Sequence, residues 1–355
     1  LPEIASTYKI AYHREKIEAY LRDEPVFPAS LEMDLSSACN RKCPQCPSTT
    51  AVEQKNLELS FVERLFSRLE GQTRGLLLTG GEPTMAPTFT RTLKLARQYG
   101  FADVVVVTNG GFLNDDRVAS ALVENASAVR VSMYDWDAES CGALEPVMAQ
   151  IGSLRDRIER EGSKLQIGVS ALTSNDRAAG LGAVAERARE AGAHWIYFHP
   201  TCTNWEAGTP RRVDQSGVLE AIDQYRDGIS DGFGVFVYRE RYEESALEFG
   251  DYHTAHFLLV IGADGMNYLG AEVKYQPKHI IADVAGKWDD DFLWRSERLR
   301  RMRGVGSSTY PAIGSRHRGV LYNDFIERLM KSEEEAMGRM HAAHQNGGPL
   351  FPHIL

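Results

Sequence analysis

From Leu31 onward, short apolar runs alternate with longer stretches of helical spacing. Leu31-Glu32-Met33-Asp34-Leu35-Ser36 switches between apolar and polar at every residue, the period of a strand with two unlike faces. Residues 75–79, 104–107, 128–132, 165–170 and 194–198 are short apolar runs bounded by turn residues, which predicts five more strands. Helical spacing fills the gaps at about 60–69, 88–99, 115–124, 145–161 and 178–191. The first of these opens on Ser60-Phe61-Val62-Glu63, the pattern of a capping box. Six strand–helix alternations with nearly continuous apolar strands predict an α/β fold, a parallel sheet with helices outside. The spacing suits a barrel or an open sheet, and in both the ligands gather at the carboxyl ends of the strands.

The pattern changes after about Arg212. A helix is expected at 213–226 and a strand at 233–237. A hairpin follows, with strands at 256–261 and 266–269 around Ala263-Asp264-Gly265. Helices near 288–302 and 319–340 close the chain, and Gly347-Gly348-Pro349 predicts a loose tail. The expected divisions are a lead-in over 1–30, a strand–helix unit over 31–212, a small α+β extension over 213–310, and a helix and tail over 311–355.

The 355 residues allow one large or two moderate domains, and 43% hydrophobic with 25% charged residues is an ordinary water-soluble balance. A net charge of −9 argues against nucleic acid as a partner, because phosphate neutralisation supplies most of that affinity. No apolar run approaches a membrane span, and Leu1-Pro2-Glu3-Ile4 does not begin a secretory signal. There are five cysteines: Cys39, Cys43, Cys46, Cys141 and Cys202. An odd number with three tightly clustered does not make a disulfide framework, so a cytoplasmic location is expected.

Cys39, Cys43 and Cys46 form C-x3-C-x2-C. Three thiolates can hold three corners of a cubane iron–sulfur cluster, where four cysteines are usual, and the fourth iron is then open to a small molecule. Zinc is the competing reading and would need a fourth ligand from elsewhere. Other candidate residues also fall at strand ends: Gly80-Gly81-Glu82-Pro83 after the second, Asn109 after the third, and Ser132 near the end of the fourth.

Taken in this order, Cys39–Cys46, Gly80-Gly81-Glu82-Pro83 and Thr108-Asn109-Gly110 resemble the radical S-adenosylmethionine superfamily over about residues 31–200. The resemblance implies a partial (β/α)6 TIM-like barrel, one 4Fe–4S cluster on Cys39, Cys43 and Cys46, and S-adenosyl-L-methionine on the open iron. It further implies reductive cleavage to a 5′-deoxyadenosyl radical that abstracts hydrogen from a substrate, and an electron donor such as flavodoxin or ferredoxin. Gly80, Gly81, Glu82 and Pro83 would receive the methionine moiety and Ser132 the ribose, with Asp135 as a neighbour. Ile167 and Val169 line the adenine or belong to the core. Tyr197, Phe198 and His199 would contact adenine or substrate. Asn109 faces cofactor or substrate, or caps a turn. The chain departs from the family in having Gln45 where many members carry an aromatic residue.

The segment 256–277 resembles a SPASM or twitch hairpin, yet no cysteine occurs after Cys202, so no auxiliary cluster is expected. A single cluster favours redox-neutral chemistry: epimerisation, elimination or decarboxylation, of the lyase or epimerase type. Cys202, just past the sixth strand, is a candidate hydrogen-atom donor, with Cys141 a weaker one. Tyr134, Trp136, Asp137, Asn204, Trp205, Glu206, Arg211 and Arg212 add a polar and aromatic rim suited to a small hydroxylated substrate. The expected substrate is a sugar, aminosugar or nucleoside intermediate of natural-product biosynthesis, such as an antibiotic. A peptide-modifying maturase and a non-catalytic iron–sulfur or zinc protein are the alternatives. Neither nucleic acid nor a membrane is expected as a partner.

Overall fold

The fold is that of a computed structural model, which describes residues 8–43, 46, 53–134, 144–203, 211–229, 231–242, 248–310, 318–343 and 349–355. Of Arg211, Arg212 and Arg318 only the backbone is described. After a short helix α1 (Arg14–Leu21), the strands β1 (Ser30–Ser36), β2 (Gly75–Gly80), β3 (Asp103–Thr108), β4 (Ala128–Met133), β5 (Gln166–Thr173) and β6 (Trp195–Pro200) lie side by side, all parallel. The helices α2 (Leu59–Leu69), α3 (Phe89–Gln98), α4 (Asp116–Asn125), α5 (Glu145–Glu161) and α6 (Leu181–Glu190) join them in turn. A two-residue pair follows, β7 (Cys202–Thr203) against β8 (Arg211–Arg212), and then α7 (Val218–Asp227).

The segments expected to form a separate extension supply β9 (Gly234–Val237), β10 (Leu258–Ile261), β11 (Met266–Tyr268) and β12 (Ile280–Asp283) to this same sheet. β9 adds to β6 and β10 to β1, both parallel, and β11 and β12 continue antiparallel beyond β10. The result is ten strands in the order β12-β11-β10-β1-β2-β3-β4-β5-β6-β9, a partial barrel. The sequence pattern does not reveal β12, a four-residue edge strand with one fully buried position.

Strand alternation gives the sheet two faces. Leu31, Met33 and Leu35 of β1 join Leu76 and Leu78, Val104 and Val106, and Val129 and Val131 in one core with Phe61, Leu65, Leu93, Leu122, Ile151 and Val184 of the helices. The intervening residues Glu32, Asp34 and Ser36 therefore face the opposite, inner side, together with Thr79, Arg130, Ser132 and Ser170.

Four local expectations are corrected. The capping box does not form: α2 begins at Leu59, and Glu58 caps it through its carbonyl, which accepts from the amides of Phe61 and Val62 (3.1 Å each). Leu57, Phe61 and Val62 all enter the core, which draws Ser60 inside the first turn. The single helix expected at 319–340 is two, α9 (Arg318–Met330) and α10 (Glu334–Ala342), broken at Ser332, whose φ is 57°. The helix expected at 288–302 shortens to a 3-10 turn, Phe292–Trp294, and α8 (Ser296–Met302). The tail is not loose either: its described part packs under the inner face, at the amino ends of the strands. The His353 amide donates to Asp103 (2.9 Å), and Ile354 meets Leu77, Val105 and Ala128. Leu355 joins Ile10, Ala11 and Phe257, and Phe351 packs against the cluster of Trp195, Tyr197, Phe236 and Tyr238. Apolar side chains decide the outcome here, against the glycine and proline signal before them. Among the described residues, no helix is long and apolar enough to cross a membrane.

Candidate active site

The cysteine loop leaves the carboxyl end of β1, and its two ends are tied together. Ser36 bridges Asn56, the Ser37 amide donates to Lys55 O (2.9 Å), and the Lys55 amide donates to Ser37 Oγ (2.8 Å). Within the loop, Cys39 is exposed and Cys43 and Cys46 are half-buried, and the Cys46 amide donates to Cys43 O (3.1 Å). Residues 44, 45 and 47–52, including Gln45, lie outside the described residues. The Cys39 sulfur receives the Arg41 amide at 3.4 Å and the Asn109 side-chain amide at 3.9 Å. Partial burial pushes its thiol up from the ordinary value, with Glu82 and Cys46 adding to the rise against those two donors. Ligation would supply the countercharge that favours the thiolate.

Gly80 and Gly81 are pressed against this loop. A Cβ on Gly80 would lie 2.3 Å from Ser36 O, and one on Gly81 would lie 2.2 Å from Ala38 O. Gly80 also has a φ of 135°, which side-chain-bearing residues rarely adopt. Glycine at both positions is thus required by the approach of the β2 turn to the cysteine loop itself.

Glu82 has no exposed surface. Its Oε1 accepts from the Thr84 amide (3.1 Å), the Thr84 hydroxyl (2.5 Å) and the Thr108 hydroxyl (2.7 Å), and its Oε2 accepts from the Asn109 amide (2.7 Å). The carboxylate therefore ties the β2 turn to the end of β3, and Pro83 starts the 3-10 turn below it. Asn109 caps a turn and also reaches the cysteine loop. Its Oδ1 caps the Gly111 amide (2.9 Å), and its Nδ2 donates to Asn40 in the cysteine loop (2.7 Å).

These contacts place Cys39–Cys46, Gly80–Pro83 and Asn109 in one mouth at the carboxyl ends of β1–β3. Residues 33–164 match the family model described as the Radical SAM superfamily. This stretch is a radical SAM domain. Over 128 residues it is 27% identical to GTP 3′,8-cyclase of Chlorobaculum tepidum, covering 36% of each chain. Over 112 residues it is 34% identical to 7,8-dihydro-6-hydroxymethylpterin dimethyltransferase of Methanocaldococcus jannaschii, covering 30% of this chain and 22% of that one. The match thus spans about a third or less of these relatives' lengths. Streptococcus suis SuiB bound to S-adenosylmethionine superposes with a TM-score of 0.59 at 13% identity, over 79% of this chain and 69% of that one. SuiB bound to its precursor peptide SuiA gives a TM-score of 0.57 at 14% identity, over 83% and 73%. At such identities the likeness is one of fold.

The donor set suits the cluster of a radical SAM domain: three thiols in one tied loop, the first of them exposed and facing amide donors. The remaining expected residues are distributed as follows. Ser132 is half-buried on the inner face of β4, opposite Ser170 of β5. Tyr197 and His199 share the inner face of β6 with rings stacked at 5.2 Å, and Tyr134 meets His199 edge-on at 5.8 Å. Ile167 and Val169 are fully buried in the helix-side core, so an adenine-lining role does not fit them; Gly168 and Ser170 are the β5 residues facing inward. Phe198 likewise belongs to the helix-side core. Cys202 sits in β7 opposite Arg212 with no exposed surface. Asp135, Trp136, Asp137, Cys141, Asn204, Trp205 and Glu206 lie outside the described residues.

Sequence reasoning missed several inner-face groups. Arg241, buried beyond β9, donates to the Tyr197 hydroxyl (2.5 Å), and Ser170 is 1% exposed with no hydrogen-bond partner for its hydroxyl among the described residues. Strict alternation carries the signal for Ser170: Gly168 and Ser170 take the same parity on β5 as Arg130 and Ser132 on β4. Arg241 comes from the short 3-10 turn Arg239–Arg241 after β9, and nothing local marks it.

Proposed function

We propose that the chain is a radical S-adenosylmethionine enzyme acting on a small polar substrate, a sugar, aminosugar or nucleoside intermediate of natural-product biosynthesis. The reaction is a redox-neutral one, such as epimerisation, dehydration or decarboxylation. The observation that carries the small-substrate reading is the inner wall of the sheet. Polar groups line it, among them Arg130, Ser132, Ser170, Tyr197 and His199, and Phe351 and Ile354 close it at the amino ends of the strands. Such a wall, polar above and sealed below, suits a compact ligand held by a few oriented groups.

Cys39, Cys43 and Cys46 would hold the cluster, and Gly80–Pro83 would border the cofactor. Together, when bound, these groups supply a carbon-centred hydrogen-abstracting radical after one-electron reduction by a flavodoxin- or ferredoxin-type donor. The protein's part is positional. Glu82 holds the β2 turn against β3, Asn109 holds the cysteine loop, and the stacked Tyr197–His199 pair presents a flat face to a ring. The serine pair Ser132 and Ser170 offers adjacent hydroxyls at one height on the wall. The absence of any cysteine after Cys202 in this sequence supports a single cluster and hence a redox-neutral outcome.

Anaerobic iron–sulfur reconstitution, reduction, and assay for 5′-deoxyadenosine tests the reading. Cleavage of S-adenosylmethionine, with deuterium transfer from one of a panel of sugar and nucleoside substrates, is the expected result. A reduced, iron-replete protein that cleaves no S-adenosylmethionine would sink it. Deuterium transfer from a peptide but from no small metabolite would move the substrate class to the maturase alternative.

A further inference from the structure

The segment after the β10–β11 hairpin reaches back into the sheet at one point. Lys274 is buried, and its Nζ donates to Asp34 Oδ1 (2.7 Å), Glu32 Oε1 (3.0 Å) and Thr79 Oγ1 (3.3 Å). The Tyr275 hydroxyl donates to Asp34 Oδ2 (2.7 Å), and the Thr79 hydroxyl donates to Asp34 Oδ1 (2.5 Å). Asp34 has no exposed surface. Burial alone would push the Lys274 ammonium down, but Asp34 and Glu32 outweigh it and hold it above its ordinary value. Tyr275 keeps a φ of 64°, a conformation that residues with side chains hold only where the surroundings enforce it.

The place where this cluster acts is specific. The β1–β2 register is regular from Ser30 opposite Gly75 to Asp34 opposite Thr79, and there it breaks: the next pair is Ser36 opposite Gly80. One extra residue on β1 makes a bulge, where the ladder is locally disrupted and the strand bends. Just beyond it the Gly81 amide donates to Ser36 O and the Glu82 amide to Ala38 O, both at 2.8 Å. Asp34–Thr79 is therefore the last regular rung before the cysteine loop and the Gly80–Gly81 turn leave the sheet.

We propose that Lys274 and Tyr275 are positioning residues for this mouth: they lock Asp34 against Thr79 and thereby fix how the cysteine loop meets the Gly80–Gly81 turn. The inference rests on reading that mouth as the cluster and cofactor site. In this arrangement the hairpin segment controls the site through a buried ion pair and a tyrosine hydroxyl, although it supplies no ligand.

The test uses Tyr275→Phe, which removes one hydroxyl, and the triple variant Glu32→Gln/Asp34→Asn/Lys274→Met, which removes all three charges so that none is left buried without its partner. The comparator is Arg298→Met, which deletes another buried cation, bonded to Asn267 (2.9 Å) and Leu293 O (2.8 Å). In the apoprotein, hydrogen exchange at the Gly81 and Glu82 amides should quicken by about tenfold or more in the two clasp variants, while β4 and β5 amides keep their rates. In reconstituted protein the same variants should lose the change that S-adenosylmethionine induces in the electron paramagnetic resonance spectrum of the reduced cluster. Unaltered exchange at Gly81 and Glu82 overturns the proposal, as does equal quickening in Arg298→Met. If the unaltered chain takes up no iron, the reading of the mouth fails, and the apoprotein exchange rates still decide whether the clasp sets the register.

Discussion

At the carboxyl ends of β1–β3 the chain presents an exposed or half-buried thiol loop beside a glycine turn; at the amino ends of β2–β4 it buries its own tail. Both ends use glycine for the same physical reason, the approach of another backbone. A Cβ on Gly81 would meet Ala38 O at 2.2 Å, and one on Gly75 would meet His353 O at 1.8 Å. The consequences differ. At the mouth the close approach aligns two loops that have chemistry to do. At the floor it seats tail residues against apolar walls, the Asp103 carboxylate and the His13 ring. A glycine in such a sheet thus reports a close approach and not, by itself, a cofactor.

This contrast can be broken by experiment. Cys39→Ala, Cys43→Ala and Cys46→Ala should each abolish formation of 5′-deoxyadenosine and lower bound iron, measured by colorimetric assay, while leaving thermal unfolding of the apoprotein nearly unchanged. An apoprotein that unfolds much earlier would show that the loop is a folding element as well. Ile354→Ala should do the reverse: a loss of about 2–4 kcal/mol in denaturant unfolding with iron uptake retained. Gly75→Ala and Gly81→Ala should each cost about 1–3 kcal/mol from overpacking, yet only Gly81→Ala should weaken binding of S-adenosylmethionine. Equal effects of the two on cofactor binding would erase the distinction between the ends.

A smaller effect concerns pH. Burial lowers His13 and His256 to about 3 and His279 to about 4. These side chains stay neutral in the fold while the unfolded chain takes up protons below its ordinary histidine value. Stability should therefore fall as pH drops from about 6.5 toward 4, by on the order of 1 kcal/mol per histidine between pH 7 and 5. His13 contacts Pro352 O (3.1 Å), so His13→Gln should flatten part of this slope in unfolding midpoints measured across that range. An unchanged slope would detach the tail from the effect.

Much of the mouth was legible because its parts are local. Three cysteines within eight residues, a Gly-Gly-Glu-Pro turn and an Asn-Gly turn each follow an apolar run, and strand ends are where a parallel sheet places ligands. Glu82 was found but its work was not: four donors from two strand ends converge on it, and no local pattern shows that. For Ile167 and Val169 the core is the outcome, because they lie one residue away, on a two-residue period, from the positions that face inward. Lys274, Tyr275 and Arg241 were missed because each meets its partner across a long stretch of chain.

The sequence by itself determined the six strand–helix alternations, the thiol set and the order of the motifs, since periodicity and spacing act over a few residues. Only the tertiary structure decided that β9 and β10 extend the same sheet, that the tail forms its floor, and that a lysine from beyond the hairpin clasps β1 to β2. Those outcomes depend on which faces remain apolar or charged once the strands are paired, and burying each of them requires a partner distant in the chain.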